Sequence, residues 1–95
     1  MKANVGMDLL YKAILSLKNE DECAKFLEDL CTPQELQSIS QRLKVAEMLR
    51  GGKNYNAIVE ETSASTATIS RVNKTLTYQT AGGYEIVFER LESGK

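Results

Sequence analysis

The segment from Asn54 to Leu76, NYNAIVEETSASTATISRVNKTL, constrains this chain more than any other. It reads as two short helices joined by a tight turn, with apolar residues at Ile58, Val59 and Ala64, then at Ile69, Val72 and Leu76. The last three stand at i, i+3 and i+7, which places them on one stripe of the second helix. With that stripe turned inward, Ala67 and Lys74 point away from it, Ser70 and Arg71 face solvent, and Thr66 and Thr68 flank the exposed face. Small side chains there permit close approach to a groove, hydroxyls can meet any base edge, and cations can meet phosphate. The pattern is that of a helix-turn-helix over about residues 54–77 whose second helix enters a major groove. Three positions depart from it. Ser63 stands where the turn usually has glycine, Val59 where a small residue lets the helices approach, and Thr62 where a leucine packs. The other reading of the segment is two amphipathic helices that simply pack together in a small helical domain.

The flanking sequence is also helical in pattern. A first helix is expected from about Val5 to Lys18, with Leu10, Ile14 and Leu17 on one face and Leu9 and Ala13 beside them. Asn19 caps a second helix, with Glu22 at the third helical position as a capping box requires, and its apolar residues are Cys23, Phe26, Leu27 and Leu30. Thr32-Pro33-Gln34-Glu35 is the clearest start signal in the chain: threonine caps, proline takes the first position, and Glu35 can reach back. The third helix runs to about Arg50, where Gly51-Gly52 end it. Leu36, Ile39, Leu43 and Ala46 make its stripe, widened by Val45, Met48 and Leu49, so this helix touches more than one neighbour. Thr77 to Gly83 is a polar connection to a last helix over Tyr84 to Leu91, although Ile86-Val87-Phe88 could form a short strand if a partner strand existed.

The sum is an all-α fold of five to six short helices. In 95 residues, a single domain over 1–95, the first two helices and the last would struggle to cover their apolar faces, which points to a homodimer. The chain has no histidine and only two cysteines, Cys23 and Cys31, so it offers no zinc set and its thiols read as buried small hydrophobes. Neither a glycine-rich phosphate loop nor an activated nucleophile is visible, so no enzyme, cofactor or metal site is expected. No apolar run is long enough for a membrane span and the N-terminus lacks a signal-peptide core, so a cytoplasmic setting is expected.

Charge is unevenly spread. Between residues 40 and 80 the six cations Arg42, Lys44, Arg50, Lys53, Arg71 and Lys74 outnumber Glu47, Glu60 and Glu61 by three, while the remainder carries a net −4. Cations therefore gather around the proposed reading head and the rest of the chain is acidic, a modest electrostatic footprint for a polyanion.

CTPQELQSISQRLKVAEMLRGG followed by TSASTATISRVNKTL resembles the core of the tryptophan repressor family, in its YerC/YecD-like branch, without interruption over about residues 30 to 80. The resemblance implies an intertwined homodimer in which the first, second, third and last helices interlock and the helix-turn-helix units protrude as heads. It also implies a small effector between the third helix and the recognition helix, lined by Thr32, Arg42, Arg71 and Thr75. The two arginines could clamp a small carboxylate. Val72, however, falls where the tryptophan-binding members have glycine and would crowd an indole. Thr75 replaces a serine, and the segment around Leu49-Arg50-Gly51 is one residue shorter. Arg42 and Arg71 can equally be phosphate contacts, or ion-pair partners of Glu47 or Glu60.

The expected function is thus a dimeric, sequence-specific regulator of transcription, a repressor, that binds double-stranded DNA. Thr66, Ala67, Thr68 and Ser70 would face base edges, and Lys44, Lys53, Asn56 and Lys74 would hold phosphates. The second reading is a helical dimer whose head binds another protein instead of DNA.

Overall fold

The structure is a computed structural model that describes residues 5–78 and 81–94. Its described residues form six helices and no strand: α1 (Met7–Leu15), α2 (Glu20–Leu30), α3 (Pro33–Arg50), α4 (Tyr55–Thr62), α5 (Thr66–Tyr78) and α6 (Gly83–Ser93). The Ile86-Val87-Phe88 stretch is helical, as the spacing of Tyr84, Val87, Phe88 and Leu91 requires. The connection before it is shorter than the polar run suggested, because α5 continues through Thr77 to Tyr78. Gln79 and Thr80 lie outside the described residues.

The chain divides into two compact units, residues 1–36 and 37–95. In the first, α1 ends three residues before the expected Lys18. The Ser16 hydroxyl donates to the Ala13 carbonyl at 2.6 Å, and the Ser16 and Leu17 amides donate to carbonyls three residues back. Such tightening is how a helix end satisfies its orphan carbonyls. At the start of α2 the Asn19 side chain accepts the Glu22 amide at 2.9 Å, while the Glu22 carboxylate accepts from Lys18, one residue outside the usual box. The Thr32–Glu35 box is fully reciprocal, at 3.1 Å and 2.9 Å. Neither α1 nor α2 contains a buried residue. Leu9, on the expected inner side of α1, is 72% exposed. Cys23 and Cys31 are free thiols and half-buried instead of buried.

The core belongs to the second unit. Val45, Ala46 and Met48 of α3, Ile58 of α4, Ala64 of the turn, Ile69 and Val72 of α5, and Phe88 of α6 are all buried. Leu49, Tyr55, Leu76 and Tyr84 pack around them. Burying apolar area is worth roughly 25 cal/mol per Å², so these side chains dominate what holds α3 through α6 together. The expected α3 stripe is buried only in its last two turns, since Ile39 and Leu43 remain exposed. Val59 is exposed as well, which explains why a residue larger than alanine fits at that position.

α3 stops in a complete Schellman motif. Lys53 donates to the Met48 carbonyl and Gly52 to the Leu49 carbonyl, both at 3.0 Å, with Gly52 left-handed at φ 84°. Glycine is needed at 52 for that conformation.

Candidate nucleic-acid interface

α4 and α5 pack against each other as the two arms of a helix-turn-helix. Asn54 caps α4 by accepting the Ala57 amide at 2.9 Å. α4 ends at Ser63, whose backbone is left-handed at φ 60° and ψ 15°. An L side chain in that region carries a steric cost, and the neighbours compensate for it. The Thr62 hydroxyl donates to the Ile58 carbonyl at 2.7 Å and accepts the Ala64 amide at 3.1 Å. From α3, the Gln41 amide donates to the Thr62 carbonyl at 3.0 Å. Thr62, which stands in place of a packing leucine, thus serves the turn through hydrogen bonds.

Ser65, counted with the second helix from sequence, is its N-cap. Its hydroxyl oxygen accepts the Thr68 amide and donates to Thr68 Oγ1, each at 3.1 Å. The cap satisfies one of the orphan amides at the end that would approach a nucleic acid. With Ile69 and Val72 buried, Thr66, Ala67, Ser70, Arg71 and Lys74 lie on the exposed side of α5, and Thr68 is half-buried at its edge. Thr75 is exposed, and its hydroxyl donates to the Arg71 carbonyl at 3.3 Å. Lys53 and Asn56, at and just inside the start of α4, are also exposed.

The cations of this region divide into two sets. Arg42, Lys53, Arg71 and Lys74 form no ion pair among the described residues. Lys44 differs from the other residues assigned to phosphate: its Nζ lies 2.8 Å from Glu47 and 3.7 Å from Glu61, tying α3 to α4. Hydrogen bonding to Glu47, followed by the charges of Glu47 and Glu61, raises the Lys44 pKa above the usual 10.5. Arg50, counted from sequence with the cations of the head, is instead committed to α6. It pairs with Glu85 and Glu92 and stacks over Phe88 at 5.6 Å.

The residues assigned to an effector are spread over both units. Thr32 belongs to the first, where its hydroxyl caps α3, and Arg42, Arg71 and Thr75 to the second. Val72 is only 3% exposed and packs in the core of the second unit. An apolar groove of about 410 Å³ opens in that unit, lined by Leu43, Thr75, Leu76, Tyr84 and Val87 among others.

Sequence reasoning missed Gln41, Ser65 and Arg50. Ser65 had a local signal, a serine three residues before a threonine at a helix start. Gln41 and Arg50 had none, because their partners lie 21 and 35 residues away.

Two helices packed across a tight turn, with a buried inner side and a hydroxyl-bearing outer face, make this a helix-turn-helix protein. The chain belongs to the Trp repressor protein family, which it matches over residues 5–92. It is 51% identical over 86 residues to the uncharacterized protein YerC of Bacillus subtilis (strain 168), covering 90% of this chain and 82% of that one. Its fold is similar to the crystal structure of a TrpR-like protein from Eubacterium eligens ATCC 27750, with TM-score 0.89 and 52% identity over 96% of this chain and 93% of that one. It is also similar to a candidate Trp repressor from Staphylococcus aureus, with TM-score 0.87 and 45% identity over 93% and 87% of the two chains. The family is one of DNA-binding transcription regulators, not of enzymes. Among the described residues no helix is long and apolar enough to cross a membrane.

Proposed function

We propose that this protein is a homodimeric, sequence-specific transcriptional repressor that reads double-stranded DNA with α5 and does not require tryptophan to do so. The observation that carries the reading is the outer face of α5. Thr66, Ala67 and Ser70 are exposed together on a helix whose opposite side is fixed by Ile69 and Val72. These three residues and Thr68 address base edges. Lys53, Asn56 and Lys74 hold phosphates, and Lys44, already neutralised by Glu47 and Glu61, contributes least of the four. One head of this kind covers one half-site, so a pair of heads would give the extent of contact that a specific site needs.

A second copy is supported by the apolar side chains that one chain leaves uncovered: Leu9 and Leu15 of α1, Leu30 of α2, Ile39 and Leu43 of α3, and Leu91 of α6. Soluble monomers rarely leave extensive apolar surface uncovered. Covering them would join the whole of 1–95 into one domain of a dimer, although each chain alone divides in two.

Independence from tryptophan is supported by Val72, whose side chain fills core space beside α3. The effector chemistry that Arg42 and Arg71 fit, with Thr32 and Thr75 beside them in the family pattern, is a small carboxylate. Both guanidinium groups lack a carboxylate partner among the described residues. Fluorescence anisotropy on labelled duplexes across a salt series tests the function. Affinity that falls steeply with salt and exceeds that for a scrambled duplex is the expected result. Equal, weak binding to every duplex would favour a protein-binding head.

A further inference from the structure

Ser63 is the only residue other than glycine with positive φ among the described residues. It sits in the turn that decides the direction in which α5 leaves α4, so whatever holds Ser63 left-handed also aims the reading face. Two sets of contacts do this. The Thr62 hydroxyl bridges the Ile58 carbonyl and the Ala64 amide, which braces the turn against its own helix. Gln41 donates from α3 to the Thr62 carbonyl, the last carbonyl of α4, at 3.0 Å. Gln41 thus reaches from α3 to the turn by a hydrogen bond across 21 positions of sequence. The nearby Lys44–Glu61 pair, at 3.7 Å between half-exposed groups, adds little geometric constraint.

We propose that Gln41 is a positioning residue for DNA recognition: it holds the strained Ser63 turn from α3 and so fixes the angle at which α5 meets a duplex. The proposal rests on the family-level reading of the head as DNA-binding. A glutamine on an α-helix beside a polar cleft could merely be solvated. The geometry argues otherwise, since the amide is half-buried and aimed at a carbonyl that its own helix cannot satisfy. It also accounts for the absence of glycine from the turn. Glycine reaches the left-handed region without strain, so a glycine turn would have less need of an outside strut. A serine turn has that need, and Gln41 meets it.

The test is a double-mutant cycle on the full chain: wild type, Gln41→Met, Ser63→Gly and the pair. Methionine keeps the length and packing of glutamine but cannot donate. Each protein is measured for urea unfolding, for affinity to a duplex selected by the wild type from a random library, and for affinity to a scrambled duplex. Gln41→Met is expected to weaken binding to the selected duplex by about tenfold, the scale of one lost hydrogen bond. Binding to the scrambled duplex, which needs charge more than aim, should change less than about twofold. In the Ser63→Gly background the same substitution should cost less than about threefold. An equal loss in both backgrounds, or no loss in either, overturns the role of Gln41, as does an equal loss on both duplexes. A wild type that selects no duplex overturns the DNA reading, and with it the aiming role. The unfolding cycle decides separately whether Gln41 and Ser63 are coupled.

Discussion

Arg50 closes a two-point hydrogen bond on Glu85, with Nη2 to Oε2 at 3.0 Å and Nε to Oε1 at 3.4 Å. The two residues lie 35 positions apart. The same guanidinium also pairs with Glu92 and lies over Phe88, whose ring stacks on Tyr84 with centroids 6.0 Å apart. Phe88 is the one buried residue of α6, and this charged clamp adds a second link from that helix to the end of α3. The Arg50 hydrogen bond, with a smaller one from Glu89, holds the Glu85 carboxyl below its usual 4.5.

A lowered carboxylate pKa stabilises the fold above the unfolded-state value, and that stabilisation is lost as pH falls through the folded-state value. The urea midpoint should therefore stay flat from about pH 7 to 5 and fall below about pH 4. Glu85→Gln should lower the neutral-pH midpoint and flatten the acid limb. Unfolding curves monitored by circular dichroism across that range check it. An acid limb that Glu85→Gln leaves unchanged would assign the titration to another carboxylate.

The turn makes a second prediction. Ser63→Gly should raise stability by up to about 1 kcal/mol, because relief of left-handed strain outweighs the added freedom of the unfolded chain. Thr62→Val should lower it, since the Ala64 amide loses its partner and the Ile58 carbonyl its side-chain hydrogen bond. Urea titrations of both variants test the pair of signs.

Local features of this architecture were legible in the sequence and distant ones were not. The Thr32–Glu35 box, the Gly51-Gly52 stop and the Ile69–Val72 stripe depend on spacings of three or four residues, and each is in place. The left-handed Ser63 had a local signal too, since it stands where the turn of this motif usually has glycine. The Lys44–Glu47 pair is a local spacing of three, but Glu61 and the partners of Arg50 were not legible, because helix packing decides which distant carboxylate each cation reaches. Counting charge by sequence window assigned Arg50 to the DNA-facing side, whereas its carboxylates lie on α6. Ile39 and Leu43 belong to the expected α3 stripe yet are exposed, because spacing along one helix does not say which of its turns meets a neighbour.

On DNA, Lys74 and Thr68 should separate. Lys74→Ala removes one phosphate partner, so it should weaken all sequences alike and reduce the salt slope by about 1. Thr68→Val should change base preference by about 1–3 kcal/mol at one position. Uniform loss from both variants in anisotropy titrations would contradict this division.

Tryptophan should leave operator affinity unchanged. Its indole would have to displace the Val72 side chain, and overpacking a filled core costs about 1–3 kcal/mol. Calorimetry should show no micromolar binding to the wild type. Val72→Gly should bind indole better but unfold earlier, because it removes a buried side chain and adds glycine to a helix, each costing about 1 kcal/mol or more. A tenfold rise in operator affinity on adding tryptophan to the wild type would show that Val72 is no obstacle.

On the proposed function, two copies of α5 read one duplex. Selection from a random duplex library at low salt, with the protein–DNA stoichiometry of the enriched sequence measured by analytical ultracentrifugation, tests it most directly. The expected result is an inverted repeat with half-sites one helical turn apart, ~34–36 Å, bound by two chains. A library that returns no enriched sequence, or a single asymmetric site bound by one chain, would contradict it.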